Sequence, residues 1–388
     1  MSDEDPPSLL DLAVESLLTN PALAIASLEC LPSILFPQVL LAAVDGGHSE
    51  VLKAMVLAWP FRRLPLGALR SWPTYLDSLR ATLDALETLQ AQRVRPEVVA
   101  DLCFQRVSPD PFLRVLIERV RRGRSLPLLR CSKLEFAGAA PKPHIVGEIL
   151  KHVCLERVQM VGVYRRWDLR SLNNLAPYLG QMEQVHTPVL LDCRAACRPT
   201  AERLLARFAA QLGSMRHLSN LMLESVYYLE ENLSRLLGCL QSQLDTLSIT
   251  DCRLHRSDLN FLRCCPYTCR LRSLDLSGVA RAGFSHLLLS SLLERSSATL
   301  THLNLTACKI QDTQLRGLQQ VLGRCSRLST LVLCGNLVSQ SELQALLVHT
   351  VPRCNYLVLE LPVPTNCYVG PDGALDQDAL AVMEALRS

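Results

Sequence analysis

The pattern LxxLxL recurs nine times after residue 125, with Val, Cys, Met or Pro replacing a Leu in several copies. Its starts fall at residues 126, 155, 185, 218, 244, 271, 300, 328 and 354. Successive starts are 29, 30, 33, 26, 27, 29, 28 and 26 residues apart, and the five copies from 218 to 328 keep Leu at the first two pattern positions and Leu or Ile at the third. A unit of that length cannot enclose a core of its own. It buries its leucines only against the units before and after it, so the chain must stack into a solenoid.

Within each unit the alternating leucines suit a short strand with one face inward. Three residues beyond the last Leu come Val226, Cys252, Val279, Cys308 and Asn336, where leucine-rich repeats place Asn or Cys to serve backbone groups at a turn. Cys252 and Cys308 therefore read as buried structural thiols. The intervening stretches, for example 285–295, 313–322 and 341–349, are helical. Strand plus helix per unit predicts an α/β leucine-rich repeat solenoid (a horseshoe) with a parallel sheet on its concave side. Residues 1–122 form a helical block that caps the array, 123–364 form the repeats, and 365–388 form a tail with a short helix over 376–387.

Composition narrows the class of function. Half of the chain is hydrophobic (49%) but only 5% is aromatic, so the core is aliphatic, and a net charge of +3 gives little attraction for nucleic acid or membranes. The acidic start, Met1-Ser-Asp-Glu-Asp5, is unlike a leader peptide, and the apolar run 34–44 is too short to span a bilayer. Sixteen cysteines in a chain of 388 residues without a leader suggest free thiols in the cytoplasm or nucleus. None are spaced as CxxC, so no zinc or other metal is expected. Nucleophile-elbow, P-loop, dinucleotide and HExxH patterns are missing, which predicts a protein that is not an enzyme and needs no cofactor. His48 lies in a turn and His302 at an outward strand position. Arg119, Arg121, Arg122 and Arg124 read as a solvated helix end rather than a nucleic-acid contact. LxxLL strings beginning at Leu233, Leu289 and Leu343 fall on repeat helices, where that spacing serves core packing.

The first helix bears more directly on function. Ser8 can cap it with Asp11 at its third position, and Leu9, Ala13 and Leu17 share one face. Asn20-Pro21 ends it. A second helix over 22–29, a segment opening at Leu31-Pro32, a turn at Asp45-Gly46-Gly47, and helices over 49–58 and 75–92 follow. The Leu9 face either packs on its own chain or serves as a handle for a partner.

Ser8-Leu9-xxx-Ala13-xxx-Leu17 resembles the BC-box by which receptors bind elongin C, and Leu31-Pro32-xx-Leu35-xxx-Val39 resembles the cullin-2 box that follows it. Leu23-Ala-Ile-Ala-Ser-Leu-Glu29, Asp45-Gly-Gly-His-Ser49, Ala58-Trp-Pro-Phe61, Cys131-Ser-Lys-Leu134, Ala176-Pro-Tyr-Leu-Gly-Gln-Met182, and Leu247-Ser-Ile-Thr250 with Cys252-Arg-Leu254 are similar to stretches of the PRAME family. The likeness covers nearly the whole chain. It implies a substrate receptor of a cullin-2 RING ubiquitin ligase, partnered by elongin B, elongin C, and cullin-2 with its RING subunit. On that likeness Ser8, Leu9, Ala13 and Leu17 would meet elongin C, and Leu31, Pro32, Leu35 and Val39 would meet cullin-2. The sheet would present Asn220, Met222, Asp245, Ser248, Arg272, Asp275, His302, Asn304, Thr330 and Val332 to a target protein. The family is also linked to repression of transcription and restraint of differentiation and apoptosis, so a scaffold or corepressor acting without ubiquitination is the alternative. Members usually carry a further stretch after the Arg93-Val-Arg-Pro96 region; here Pro96 runs directly into Glu97, so the chain looks like a shortened member.

Overall fold

The computed structural model describes residues 8–66, 75–89, 96–105, 111–124, 126–137, 142–194, 198–279, 286–350, 358–362, 368–369 and 374–375. It divides into two compact units, Met1–Val158 and Gln159–Ser388.

The first unit opens with helices α1 (Leu9–Leu18), α2 (Pro21–Ser27), α3 (Phe36–Asp45) and α4 (Ser49–Leu57), with a 3-10 turn at Ser33–Leu35. Strand β1 (Arg63–Leu64), helix α5 (Tyr75–Thr88), β2 (Glu97–Val99), β3 (Leu102–Gln105), α6 (Pro111–Arg121), β4 (Leu129–Arg130), β5 (Lys133–Ala137) and α7 (Pro143–Leu150) follow. In α3 the buried residues Phe36, Val39, Leu40, Ala43 and Val44 recur at helical spacing and form its inner stripe. Among the strands, β1, β2 and β4 form a small parallel sheet, while β3 pairs parallel with β5.

The second unit alternates strand and helix: β6 (Met160–Asp168), α8 (Leu169–Leu179), β7 (Thr187–Arg194), α9 (Arg198–Ser214), β8 (Asn220–Glu224), α10 (Leu233–Leu237), β9 (Thr246–Thr250) and α11 (Arg256–Cys264). Then come β10 (Ser273–Asp275), α12 (His286–Ser296), β11 (His302–Asn304), α13 (Asp312–Leu322), β12 (Thr330–Val332), α14 (Gln340–Thr350) and β13 (Val358–Glu360). Strands β6 to β13 lie side by side in chain order, each parallel to its neighbours. This is the leucine-rich repeat solenoid that the spacing requires. A hairpin, β14 (Tyr368–Val369) with β15 (Ala374–Leu375), follows, and the helix expected over 376–387 lies outside the described residues.

Two repeat starts need correction. The strand expected from residue 155 begins instead at Met160, and Leu155–Arg157 is a 3-10 turn. The buried triplet is Val158, Val161 and Val163, which moves that start to 158. Likewise Leu126 to Cys131 is not a repeat strand. Its β4 belongs to the small sheet, and the repeat strand is β5, with Cys131, Leu134 and Phe136 buried.

Strands β7 to β12 exit through the same device. Two residues beyond the last inward apolar residue, Asp192, Ser225, Asp251, Gly278, Ala307 and Gly335 adopt left-handed conformations, with φ between 49° and 73°. Only two of the six are glycine, so the four L-residues accept local strain to turn the chain toward its helix. The next residue in each repeat, Cys193, Val226, Cys252, Val279, Cys308 or Asn336, is buried. Cys252 donates to the Leu223 carbonyl at 3.6 Å and Cys308 to that of Leu276 at 3.1 Å, each reaching back to the preceding repeat. Asn336 Nδ2 does the same to Leu305 at 2.8 Å. Burial pushes the thiols of Cys193, Cys252 and Cys308 up to about 12. The LxxLL leucines 233, 236, 237, 289, 292, 293, 343 and 346 are core residues, and Leu347 is half-buried.

Candidate functional site

In the first unit, the capping box at Ser8 forms as expected. Asp11 N–H donates to Ser8 Oγ at 3.2 Å, and Ser8 N–H and Oγ donate to Asp11 Oδ2 at 2.9 and 2.7 Å. The Ser8 hydroxyl holds the Asp11 carboxyl below its ordinary range. The cap fixes the rotation of α1, and that rotation separates two rows of apolar residues. Val14 and Leu18 are buried and Leu10 is half-buried. Leu9, by contrast, is 88% exposed, Ala13 is exposed and Leu17 is half-buried. The Leu9 row is therefore not the one that seats the helix.

The second segment divides differently. Pro32 is exposed, and Leu31 and Leu35 are half-buried. Val39 is only 1% exposed and belongs to the inner stripe of α3, so its expected direct contact with a partner is not available in this structure. In its place the turn displays Ile34, 79% exposed. Phe36 anchors that turn from below, edge-on to Trp59 with ring centroids 6.0 Å apart. Leu12 and Leu23 are also exposed. Sequence reasoning missed these three, although Leu12 follows Leu9 at i+3.

In the second unit, the sheet face turned away from the helices carries two rows set by the parallel register. Asn220, Thr246, Ser273, His302 and Thr330 form one, Met222, Ser248, Asp275, Asn304 and Val332 the other. Eight of the ten expected residues fall in these rows. Asp245 and Arg272 do not: they precede their strands, where they face each other with Arg272 Nε 3.7 Å from Asp245 Oδ1. Thr246 and Ser273 take the strand positions. Asp275 accepts from Asn304 Nδ2 at 3.0 Å and from Ser277 N–H at 2.9 Å, so neighbouring repeats are tied across the face. The His302 ring lies 2.7 Å from Thr301 Oγ1.

In the basic cluster at the end of α6, Arg121, Arg122 and Arg124 are exposed as expected, and Arg119 alone is buried. Arg119 is 5% exposed and reaches Asp84 at 2.6 Å and Glu87 at 2.5 Å on α5. Arg124 also meets Asp84 at 2.9 Å, and Arg122 meets Glu118 at 2.6 Å. These carboxylates pair with Arg119, Arg122 and Arg124. Among the described residues no helix is long and apolar enough to cross a membrane, and no three His, Cys, Asp or Glu side chains are grouped to hold a metal. What the two surfaces offer chemically is apolar and polar contact area.

The PRAME N-terminal domain model matches residues 6–104 and the PRAME C-terminal domain model matches residues 96–387. PRAME family member 7 of Homo sapiens is 37% identical over 422 residues, covering 95% of this chain and 88% of that protein. PRAME family member 12 of Homo sapiens is 37% identical over 445 residues, covering 100% of this chain and 91% of that protein. The second alignment is longer than the 388 residues of this chain, so the relative holds internal residues that this chain lacks. Among solved structures, the leucine-rich repeat-containing protein LegL7 from Legionella pneumophila aligns with a TM-score of 0.40 at 14% identity, over 74% of this chain and 97% of that one.

Proposed function

This chain belongs to the PRAME family, and we propose that its role as a protein-binding adaptor is that of substrate receptor in a cullin-2 RING ubiquitin ligase. The observation that carries the reading is the outward row of α1. Val14 and Leu18 already seat the helix, while Leu9 and Ala13 are exposed among the described residues. A Leu exposed to this degree on a capped helix is suited to enter an apolar pocket, and burying it is worth about 2 kcal/mol. Ala13, one turn on, lets the partner's backbone come close, and Leu17 completes the contact from the rim. Pro32, Leu35 and Ile34 extend the surface toward cullin-2, with Val39 supporting them from beneath.

The proposed mechanism makes and breaks no bond within this chain. Elongin B, elongin C and cullin-2 with its RING subunit hold the first unit, and the repeat sheet holds a target. The charged ubiquitin carrier then acts on that target at high effective concentration.

The test is retrieval of elongins B and C and cullin-2 from cells by the tagged chain and by a Leu9→Ser/Ala13→Phe variant. The wild type is expected to retrieve all three, and the variant to lose them while keeping its folded spectrum. A wild type that retrieves none would leave a scaffold or corepressor acting without ubiquitination as the better account.

A further inference from the structure

The sheet face of the second unit has a charge character that the chain as a whole does not share. The 14 outward strand positions on β8 to β13 carry three carboxylates, Glu224, Asp275 and Glu360, with no Lys or Arg among them. The whole chain, by contrast, carries 40 Lys and Arg against 37 Asp and Glu. The nearest cation at the strand entrances, Arg272, is matched by Asp245. At the strand exits the exposed Asp251 is balanced by exposed Arg253 and Lys309, so the acidic character belongs to the strand positions themselves. Apart from these charges the face is mostly Ser, Thr and Asn, small enough to leave room for bulky incoming side chains. Two apolar side chains, Met222 near Glu224 and Val358 near Glu360, stand exposed on it.

We propose that this face receives an extended, lysine- and arginine-rich segment of the target protein. The inference rests on the reading of this sheet as the target surface and names the class of target it takes. Adjacent strands lie about 4.8 Å apart; Asp275 and Glu360 share a row three strands apart, about 14 Å, whereas Glu224 stands two strands from Asp275 and two residues further along, about 12 Å away. An extended segment crossing the strands obliquely rises about 3.3 Å per residue, so its basic residues fall about four positions apart in both intervals. An apolar residue next to the first of them meets Met222. The same carboxylates repel the phosphates of a nucleic acid, which disfavours that occupant.

The test is fluorescence anisotropy with the full chain and a labelled peptide containing Leu-Lys-Ser-Ser-Ser-Lys-Ser-Ser-Ser-Lys, at low and physiological salt. Saturable binding that weakens with salt is expected. The isosteric variant Glu224→Gln/Glu360→Gln should bind several-fold more weakly, and adding Asp275→Asn should bring the loss to about tenfold, the scale of three exposed ion pairs. The Glu224→Gln/Glu360→Gln pair leaves the Asp275–Asn304 hydrogen bond intact, so its result is independent of any effect on folding. Equal binding of the variants, or of a peptide with Glu in place of Lys, would overturn the proposal, as would tighter binding of a single-stranded oligonucleotide. Elongin retrieval is measured separately, so failure of the peptide to bind a chain that retrieves elongins refutes this inference alone.

Discussion

Replacing Asn336 by Leu should loosen the solenoid locally, and the size of the effect can be worked from three hydrogen bonds. Asn336 is 4% exposed. Its Nδ2 donates to the Leu333 carbonyl at 2.7 Å and to the Leu305 carbonyl at 2.8 Å, and its Oδ1 accepts from Ile310 N–H at 3.0 Å. Leucine removes all three and leaves those backbone groups buried. At about 1 kcal/mol for each bond, and somewhat more for each group left unsatisfied, the loss is about 4 kcal/mol. The added apolar volume offsets about 1 kcal/mol of that, leaving a net cost of about 3 kcal/mol. Asn336→Cys should cost about half as much, because Cys308 at the equivalent position still donates to a strand carbonyl at 3.1 Å. A repeat array need not unfold in one step, so the readout should be local. Hydrogen exchange in peptides covering 305–312 should accelerate about a hundredfold in Asn336→Leu wherever exchange proceeds by local opening. Unchanged exchange there, or equal exchange in the Leu and Cys variants, would refute the assignment of Asn336 as the bridge between repeats.

Gly278→Ala should be costlier than Gly335→Ala, although both positions are left-handed. A Cβ at Gly278 would lie 2.0 Å from Asp251 Oδ1, whereas at Gly335 the nearest atoms are 3.5 Å away. Thermal melts should show a loss of about 1 kcal/mol for Gly335→Ala and clearly more for Gly278→Ala. The buried thiols predict a pH effect with a definite sign. Cys252 stays protonated in the fold up to about 12 but ionises near 9.0 once exposed, so its contribution is complete below pH 9 and is lost as pH rises from about 9 toward 12. Cys252→Val, which installs the residue found at this position in both adjoining repeats, should make that decline in melting temperature shallower; an identical pH profile would contradict it. Ile34→Asp should weaken retrieval of cullin-2 while leaving elongin C bound, and loss of both together would show that Ile34 is not a separate anchor.

The repeats were legible because Leu recurs at fixed spacing, and the helices between them followed. The two misplaced starts have a physical reason: β5 is built on Cys131, Leu134 and Phe136, and β6 on Val158, Val161 and Val163. Their volumes fill the core as leucine would, but they do not spell the pattern. Asp245 and Arg272 were assigned to strands because the pattern begins before the strand does. Val39 was open to correction from sequence, since Phe36, Val39, Leu40, Ala43 and Val44 already mark an inner stripe at helical spacing. Ile34 was not, because a three-residue turn has no period to read. Nor was the burial of Arg119, whose partners Asp84 and Glu87 lie 35 and 32 residues earlier. Pairing across that distance is a property of the packed helices and leaves no local signature.

The most direct measurement of the central claim is calorimetric titration of the purified elongin B–elongin C heterodimer into the purified full chain. Saturable one-to-one binding is expected, weakened about thirtyfold by Leu9→Ser, which removes the roughly 2 kcal/mol of side-chain burial assigned to that residue. Val14→Ala, which trims the inner row instead, should destabilise the helix while changing affinity much less. No binding by the wild type, or equal binding by wild type and Leu9→Ser, would contradict the claim that the outward row of α1 is a docking face for elongin C.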